Sequence, residues 1–225
     1  MKAEGPHAGQ PVLRAGPPAA EAGAAVILVH GRGASARDIL TLAPELNQPG
    51  LCCLAPQAAG ASWYPWSFLA PIERNEPGFS SGLSVLGALM EELAAQGISA
   101  ERLLLLGFSQ GACLRLEFAA RRARRFGGVV GFTGGLIGPP DTPRDYVGSF
   151  AGTPTFLGAG DPDPHVPWSR VQESAEVFRG MGAEVDLRRY PGMGHAINRE
   201  EIDVARLLAA GLLERNPAGP TGAER

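Results

Sequence analysis

The stretch Gly107-Phe108-Ser109-Gln110-Gly111 decides the fold, because this G-x-S-x-G sequence joins two segments of different character. The four leucines at 103–106 form an apolar run with the length of a buried strand, and residues 112–120 are predicted to form a helix. Strand, tight turn and helix in this order are the context of a nucleophile elbow, which presents a serine hydroxyl to a cleft. The alternative is an ordinary strand-to-helix turn that contains a serine, but the flanking segments favour the catalytic interpretation.

Further strands and helices alternate along the rest of the chain. Residues 26–29 form an apolar run without polar alternation, which is typical of a parallel strand buried on both faces. In residues 184–189, Val185 and Leu187 alternate with charged neighbours, which predicts a strand near an edge of the sheet. This alternation of strands and helices predicts one α/β domain with a mostly parallel central sheet and helices on both faces.

The predicted domain organisation has three parts. Residues 1–25 form an N-terminal segment that is rich in Gly, Ala and Pro, and its short extended piece at 10–14 suits an edge strand. Residues 26–215 form the α/β domain. Residues 216–225 are polar and contain Gly and Pro, so we expect a flexible tail there.

Capping residues predict where two of the helices begin. Ser35 is followed three residues later by Asp38, and Asn198 is followed three residues later by Glu201, so that each pair resembles a capping box. Beyond Ser35, four apolar residues are spaced to share one face of a single helix, namely Ile39, Leu42, Ala43 and Leu46.

The composition is that of an ordinary soluble globular protein. Hydrophobic residues make up 44% and charged residues 19% of the 225 residues, and the net charge is −3. Nothing here indicates nucleic-acid binding, no apolar run approaches the ~20 residues of a membrane span, and the N-terminus has no apolar segment of signal-peptide type. The three cysteines, Cys52, Cys53 and Cys113, include no C-x-x-C pair, which argues against a disulfide framework and favours a reducing cytoplasm.

Side chains suited to catalysis come directly after the predicted strands, namely His30, Ser109, Asp161, Asp163 and His195. Because the carboxyl ends of parallel strands meet at one edge of a sheet, we expect these side chains to lie close together. A nucleophilic serine needs a base, and the base needs a group that orients it. We predict that His195, in a glycine-flanked loop, is the base in preference to His7, His30 and His165. Strand position does not separate Asp161 from Asp163 as the orienting acid.

Acyl transfer also requires preorganised donors for the oxyanion that forms in the transition state. We predict that the backbone N–H of Gln110, at the start of the elbow helix, supplies one donor. The turn at residues 30–33 supplies the second, which we assign to the N–H of Arg32.

A long loop at residues 57–80 interrupts the alternation and is rich in Gly, Pro and aromatic residues. Loops of this length inside a compact domain are usually functional or disordered, and the aromatic content argues against disorder. We predict an ordered flap in which Trp63 and Trp66 form apolar pocket walls, together with Leu136 from a second, Pro-rich loop. The alternative is simple packing of the flap on the outside of the sheet.

Four motifs follow one another along the chain: His30-Gly31-x-Gly33, Gly107-Phe108-Ser109-Gln110-Gly111, Asp163-Pro164-x-Val166-Pro167 and Gly192-x-x-His195. Together they resemble the carboxylesterase/phospholipase family of small α/β-hydrolases, which includes acyl-protein thioesterases, and the match runs from residue 26 to residue 213. The resemblance implies a single domain without a large cap, a triad of Ser109, Asp163 and His195, no cofactor, and hydrolysis of carboxylic esters or thioesters.

Two details of the sequence bear on the substrate. Residues 62–65 are similar to a bacterial subset of the family, some of whose members occur beside aromatic-ring-cleaving enzymes. Arg32 stands where many members carry leucine, and a charge beside the oxyanion hole argues against a long, lipid-like acyl chain.

We therefore expect a serine hydrolase that cleaves esters or thioesters of small to medium acyl groups through an acyl-enzyme, with no cofactor and no metal. The alternatives are a lysophospholipase or acyl-protein thioesterase activity on long acyl chains, and hydrolysis of an aromatic-degradation product. The expected partner is a small-molecule ester, and a homodimer is left open.

Other classes of protein fit the sequence less well. A non-catalytic binding protein on this fold would normally have lost one position of the triad. A dienelactone-type hydrolase would commonly use a cysteine nucleophile, whereas the elbow carries Ser109, and Cys113 one turn further on suits packing. A metallohydrolase is disfavoured because the sequence contains no H-x-x-x-H pair.

Overall fold

The computed structural model describes residues 3–46 and 48–214. The strands of this part of the chain are Val12–Ala15 (β1), Ala24–Val29 (β2), Leu51–Pro56 (β3), Leu103–Phe108 (β4), Gly128–Phe132 (β5), Pro154–Asp161 (β6) and Glu184–Pro191 (β7). They form one seven-stranded sheet in the order β1-β3-β2-β4-β5-β6-β7. All neighbours are parallel except β1, which pairs antiparallel with β3. The predicted mostly parallel α/β sheet is confirmed.

Helices cover both faces of this sheet. They are Ala36–Leu40 (α1), Ala43–Leu46 (α2), Gly78–Ala95 (α3), Gln110–Arg121 (α4), Trp168–Gly180 (α5) and Arg199–Glu214 (α6). Short 3-10 turns lie at Ala19–Glu21, Ala59–Ala61, Ile72–Asn75 and Ala100–Arg102. Among the residues described, no helix is both long enough and apolar enough to cross a bilayer.

The core has two layers because both faces of the central strands are apolar. In β2, Ile27 points into the layer that contains Leu86 of α3 and Phe118 of α4. Its neighbour Val26 points into the opposite layer, with Ala205 of α6. All residues of β2 are buried, as the unbroken apolar run predicted.

The two ends of the sheet differ from its centre. The last strand, β7, alternates between exposed and half-buried residues and forms an edge, as its alternating sequence predicted. The N-terminal edge strand β1 spans Val12–Ala15, slightly later than the predicted 10–14. Strand β1 pairs with β3 in the same sheet as β2, and β2 begins at Ala24. Part of the predicted N-terminal segment 1–25 therefore belongs to the sheet of the main domain. The predicted tail at 216–225 lies outside the described residues.

The helix predicted after Ser35 is wrong in its length. Ser35 and Asp38 form the expected capping box, but α1 ends at Leu40 and a separate turn, α2, begins at Ala43. The cause is Pro44, which has no N–H to donate to the carbonyl of Leu40 and whose ring disfavours helical geometry in the residue before it. The capping box predicted for α6 is confirmed, since the side chains of Asn198 and Glu201 each accept the other residue's backbone N–H.

Candidate active site

The elbow turn places Ser109 between β4 and α4 in a strained backbone conformation, with φ 54° and ψ −123°. Positive φ is rare for residues other than glycine and is sustained only where the surroundings enforce it. A Cβ at Gly107 would stand 2.7 Å from the carbonyl oxygen of Gly111, and one at Gly111 would collide with the carbonyl oxygen of Val29. Both glycines are therefore required for strand and helix to cross behind the serine.

His195 lies between the serine and a buried carboxylate. Its Nε2 is 2.8 Å from Ser109 Oγ, and its Nδ1 is 2.7 Å from Asp163 Oδ2. With the proton on Nδ1, the imidazole donates to Asp163 and Nε2 accepts the serine O–H. The chain thus brings together the three residues that the motifs named, from loops that follow β4, β6 and β7.

Asp163 is held as a carboxylate by several donors. Its side chain has 0% exposure, and Oδ1 accepts the backbone N–H groups of His165 at 2.7 Å and Val166 at 2.9 Å. Burial by itself opposes ionisation, but these two bonds and the contact with His195 outweigh it, so the pKa of Asp163 is lowered. Asp161 instead pairs with Arg189 on the edge strand β7 and does not touch His195.

The ring of His195 also packs against two other aromatic rings. The ring centroids of Phe108 and His165 lie 5.0 Å and 4.8 Å from that of His195. His30 has a different, structural place: it is fully buried, its Nδ1 donates to the carbonyl of Gly31 and its Nε2 accepts the N–H of Ala58. Burial lowers the pKa of His30, which keeps the ring neutral in this role.

The two residues predicted to supply oxyanion donors lie in segments that contact Ser109. Gln110 is the first residue of α4, so its N–H has no partner within the helix. The turn at residues 30–33 packs directly on the serine, since a Cβ at Gly31 would lie 3.3 Å from Ser109 Cβ. Arg32 is in this turn, beside the nucleophile.

The side chains of Gln110 and Arg32 hold the aromatic flap in place. Gln110 accepts the N–H of Trp63 at 2.9 Å and donates to the carbonyl of Tyr64 at 2.8 Å. Arg32 donates to the carbonyl of Pro65 at 2.9 Å and to that of Trp66 at 2.6 Å. The sequence had identified Gln110 only by its backbone donor, and Arg32 by its backbone donor and by its charge beside the oxyanion hole. Their side-chain role has no local sequence signal, because the partners are backbone groups more than thirty residues away along the chain.

A cavity of about 520 Å³ opens in front of the serine and histidine. Its wall on the flap side consists of Tyr64, Pro65, Trp66, Ser67 and Phe68, and the opposite side includes His165 and Val166. The flap contributes an apolar wall, in which Trp66 is present as predicted and Tyr64 and Phe68 take the place expected for Trp63.

Trp66 lies at the cavity and is 50% exposed, whereas Trp63 and Leu136 do not line it. Trp63 is fully buried on the inner side of the flap, and its indole N–H donates to the carbonyl of His30 at 2.9 Å. Leu136 is fully buried in the core, with its N–H bonded to Ser174 at 2.8 Å. The prediction of these two residues as walls is wrong, because apolar character alone does not tell which side of a loop faces a cleft.

Cys113 lines the floor of the cavity one turn after the serine. Its Sγ accepts the N–H of Gly135 at 3.4 Å, and burial raises the pKa of the thiol to about 12. The thiol is therefore protonated at neutral pH, which fits a packing role and not that of a nucleophile.

Comparison with known proteins agrees with this geometry. A family model described as phospholipase/carboxylesterase matches residues 13–208. The crystal structure of a phospholipase/carboxylesterase from Dyadobacter fermentans has a TM-score of 0.86 and 44% identity, with 94% of this chain and 100% of that chain covered.

Curated relatives include proteins named acyl-protein thioesterase 1. The one from Debaryomyces hansenii is 27% identical over 214 residues, which cover 85% of this chain and 92% of that protein. The one from Gibberella zeae is 34% identical over 124 residues, so that the match covers 51% of this chain and only 50% of that relative's length. The family model spans most of the chain, and the motifs, the sheet and the elbow all agree with it. The chain belongs to the phospholipase/carboxylesterase family of α/β-hydrolases.

Proposed function

We propose that the protein is a serine hydrolase that cleaves carboxylic esters or thioesters of small to medium acyl groups through an acyl-enzyme. The observation that carries this proposal is the position of His195, 2.8 Å from Ser109 Oγ through Nε2 and 2.7 Å from Asp163 through Nδ1. This arrangement supplies a nucleophile, a base and a group that orients the base.

In the proposed mechanism, Ser109 Oγ attacks the acyl carbonyl carbon while His195 Nε2 takes the hydroxyl proton. The carbonyl oxygen becomes an oxyanion, which the N–H groups of Gln110 and Arg32 stabilise. Asp163 keeps the imidazole in the required tautomer and stabilises its protonated form. His195 then gives the proton to the leaving alcohol or thiol, and the carbonyl re-forms as the acyl-enzyme. A water molecule then attacks the acyl carbon while His195 takes its proton, and His195 passes that proton to Ser109 Oγ as the acyl–oxygen bond breaks and the acid leaves.

The size of the cavity fits a small-molecule ester. A volume of about 520 Å³ is within the ~300–1,000 Å³ usual for small-molecule sites. The aromatic flap bounds it on one side, held by hydrogen bonds from Arg32 and Gln110. These bonds favour a preformed wall over one that opens for a long chain.

The relatives named acyl-protein thioesterase 1 favour a second candidate, hydrolysis of long-chain thioesters. The test is a series of p-nitrophenyl esters with acyl chains from two to sixteen carbons, together with matched acyl thioesters, measured with the native protein and with Ser109→Ala. We expect the highest kcat/KM between two and six carbons and no turnover by the variant. A maximum at sixteen carbons would favour the second candidate, and turnover that persists in Ser109→Ala would contradict both. The cytoplasmic location and the homodimer stay predictions.

A further inference from the structure

Arg32 is a cation at the cavity wall with only neutral partners. Nη1 donates to Ser62 Oγ at 3.1 Å and to the carbonyl of Pro65 at 2.9 Å, and Nη2 donates to the carbonyl of Trp66 at 2.6 Å. Within the described part of the chain Arg32 takes part in no ion pair, in contrast to Arg144 and Arg170, which pair with glutamates. These contacts orient the guanidinium but do not neutralise its charge.

Part of the donor capacity of this side chain is unused. A guanidinium has five N–H groups, and three of those of Arg32 are used in the flap. No hydrogen bond of the described residues uses its Nε–H, and one N–H of Nη2 also remains. Arg32 is exposed and lines the cavity, so these donors are available to a substrate that enters it.

The charges around the cavity have one sign. Among the described residues that line it, Arg32 is the one permanently charged side chain, and none is an aspartate or glutamate. Asp163 lies behind His195, fully buried and bonded to it, so it does not offset the charge of Arg32 within the cavity. A neutral ester gains nothing from this cation, whereas a substrate with a carboxylate does.

We propose that Arg32 binds a carboxylate group of the substrate, so that the preferred substrates are esters or thioesters with an anionic group in addition to the bond that is cleaved. The inference rests on the proposed serine-hydrolase function and narrows its substrate class. Arg32 thus has two functions: its backbone N–H stabilises the oxyanion, and its guanidinium, oriented by the flap carbonyls, selects the substrate.

The test compares matched anionic and neutral esters. One pair is the mono-p-nitrophenyl ester of adipic acid and p-nitrophenyl hexanoate, with the carboxylate on the acyl side. The other is 4-carboxyphenyl butyrate and its methyl-ester analogue, with the carboxylate on the leaving group. The quantity measured is the ratio of kcat/KM for the anionic and the neutral ester, since damage to the oxyanion hole or to the flap affects both esters and cancels in the ratio.

We expect Arg32→Gln to lower this ratio by about three- to tenfold in at least one of the two ester pairs. This effect lies between that expected from the loss of an exposed ion pair and that expected from the loss of a charge-assisted hydrogen bond. Arg32→Lys should keep part of the preference. In the native protein the preference should decrease as salt is added, because the charge is exposed and screened.

Two control variants separate this role from a purely structural one. Arg74→Gln removes an exposed cation that stacks 4.2 Å from the ring centroid of Trp66 but does not line the cavity. Ser62→Ala removes one neutral partner of Arg32 without a change of charge. Arg74→Gln should leave the ratio unchanged, and Ser62→Ala, which keeps the contacts of Arg32 with the carbonyls of Pro65 and Trp66, should change it much less than Arg32→Gln does.

An unchanged ratio in both ester pairs on Arg32→Gln would overturn the inference and leave Arg32 as a residue that only positions the flap. That result is distinct from failure of the proposed function. In the latter case the native protein would hydrolyse none of the four esters, or Ser109→Ala would hydrolyse them equally well.

Discussion

Asp163 accepts a hydrogen bond from His195 Nδ1 at 2.7 Å, whereas Asp161, two residues earlier, reaches Arg189 on the edge strand instead. We predict that Asp163→Asn reduces kcat by up to ~10⁴ with the fold intact, since the imidazole loses the tautomer that it needs.

Asp161→Asn serves as the matched control for this prediction. Its partner Arg189 has a side-chain exposure of 54%, so the ion pair contributes at most about 1 kcal/mol and the variant should keep most activity. The measurement is kcat on both purified variants with their melting curves. If Asp161→Asn lost more activity than Asp163→Asn, the acid of the triad would be Asp161.

The two tryptophans of the flap should behave differently on truncation. Trp63→Ala removes a fully buried side chain and should lower the free energy of unfolding by about 3–5 kcal/mol. Trp66→Ala removes a half-exposed wall of the cavity and should change the profile of kcat/KM against acyl-chain length with little effect on stability. Denaturant unfolding and the ester series measure the two effects. The opposite pattern would show that Trp63 is the wall and Trp66 the core residue.

The side chain of Gln110 should matter separately from its backbone. Gln110→Ala keeps the N–H at the oxyanion hole but leaves the N–H of Trp63 and the carbonyl of Tyr64 without these partners. We expect a loss of about 1–3 kcal/mol in stability and a lower kcat/KM. The control is Gln96→Ala, which removes a glutamine at the end of α3 whose side chain, among the described residues, bonds only to Glu92 on the same helix. Equal kcat/KM in both variants would contradict a role for the flap in catalysis.

Glu201 should make stability fall as the pH rises. This carboxyl is buried at the start of α6, where Oε2 accepts the N–H of Asn198 while Oε1 has no hydrogen-bond partner among the described residues. Burial raises its pKa from 4.5 to about 7. Since the folded state favours the protonated form, its stabilising contribution is complete below the unfolded pKa and is lost as the pH rises through the folded pKa.

We therefore predict that the native protein loses up to about 3 kcal/mol between pH 4 and pH 8 relative to Glu201→Gln, which keeps an acceptor for Asn198 and does not titrate. Chemical denaturation of both proteins across this range measures the difference. A difference in unfolding free energy that does not vary with pH would show that Glu201 titrates normally in the folded protein.

Local sequence predicted the parts of the structure that local chemistry determines. The run of leucines before Ser109 and the glycines around it were sufficient to predict the elbow turn. The capping residues Ser35 and Asn198 were sufficient to predict where two helices begin. The break between α1 and α2 was also predictable in principle, because Pro44 is visible in the sequence.

What sequence could not predict depends on long-range packing. The aromatic content of the flap predicted an ordered loop, but only the fold shows that Trp63 faces inward and Tyr64 lines the cavity. The side chains of Arg32 and Gln110 reach carbonyls of that loop across the cleft, and no spacing along the chain indicates such contacts.

The central claim is that Ser109 is a nucleophile activated by His195. Its most direct test is covalent labelling with a fluorophosphonate, with the modified residue located by mass spectrometry of the native protein and of Ser109→Ala. We predict a single adduct on Ser109 in the native protein, and no adduct in Ser109→Ala although its melting temperature is nearly unchanged. An adduct that forms on another residue, or labelling that survives in Ser109→Ala, would contradict the account.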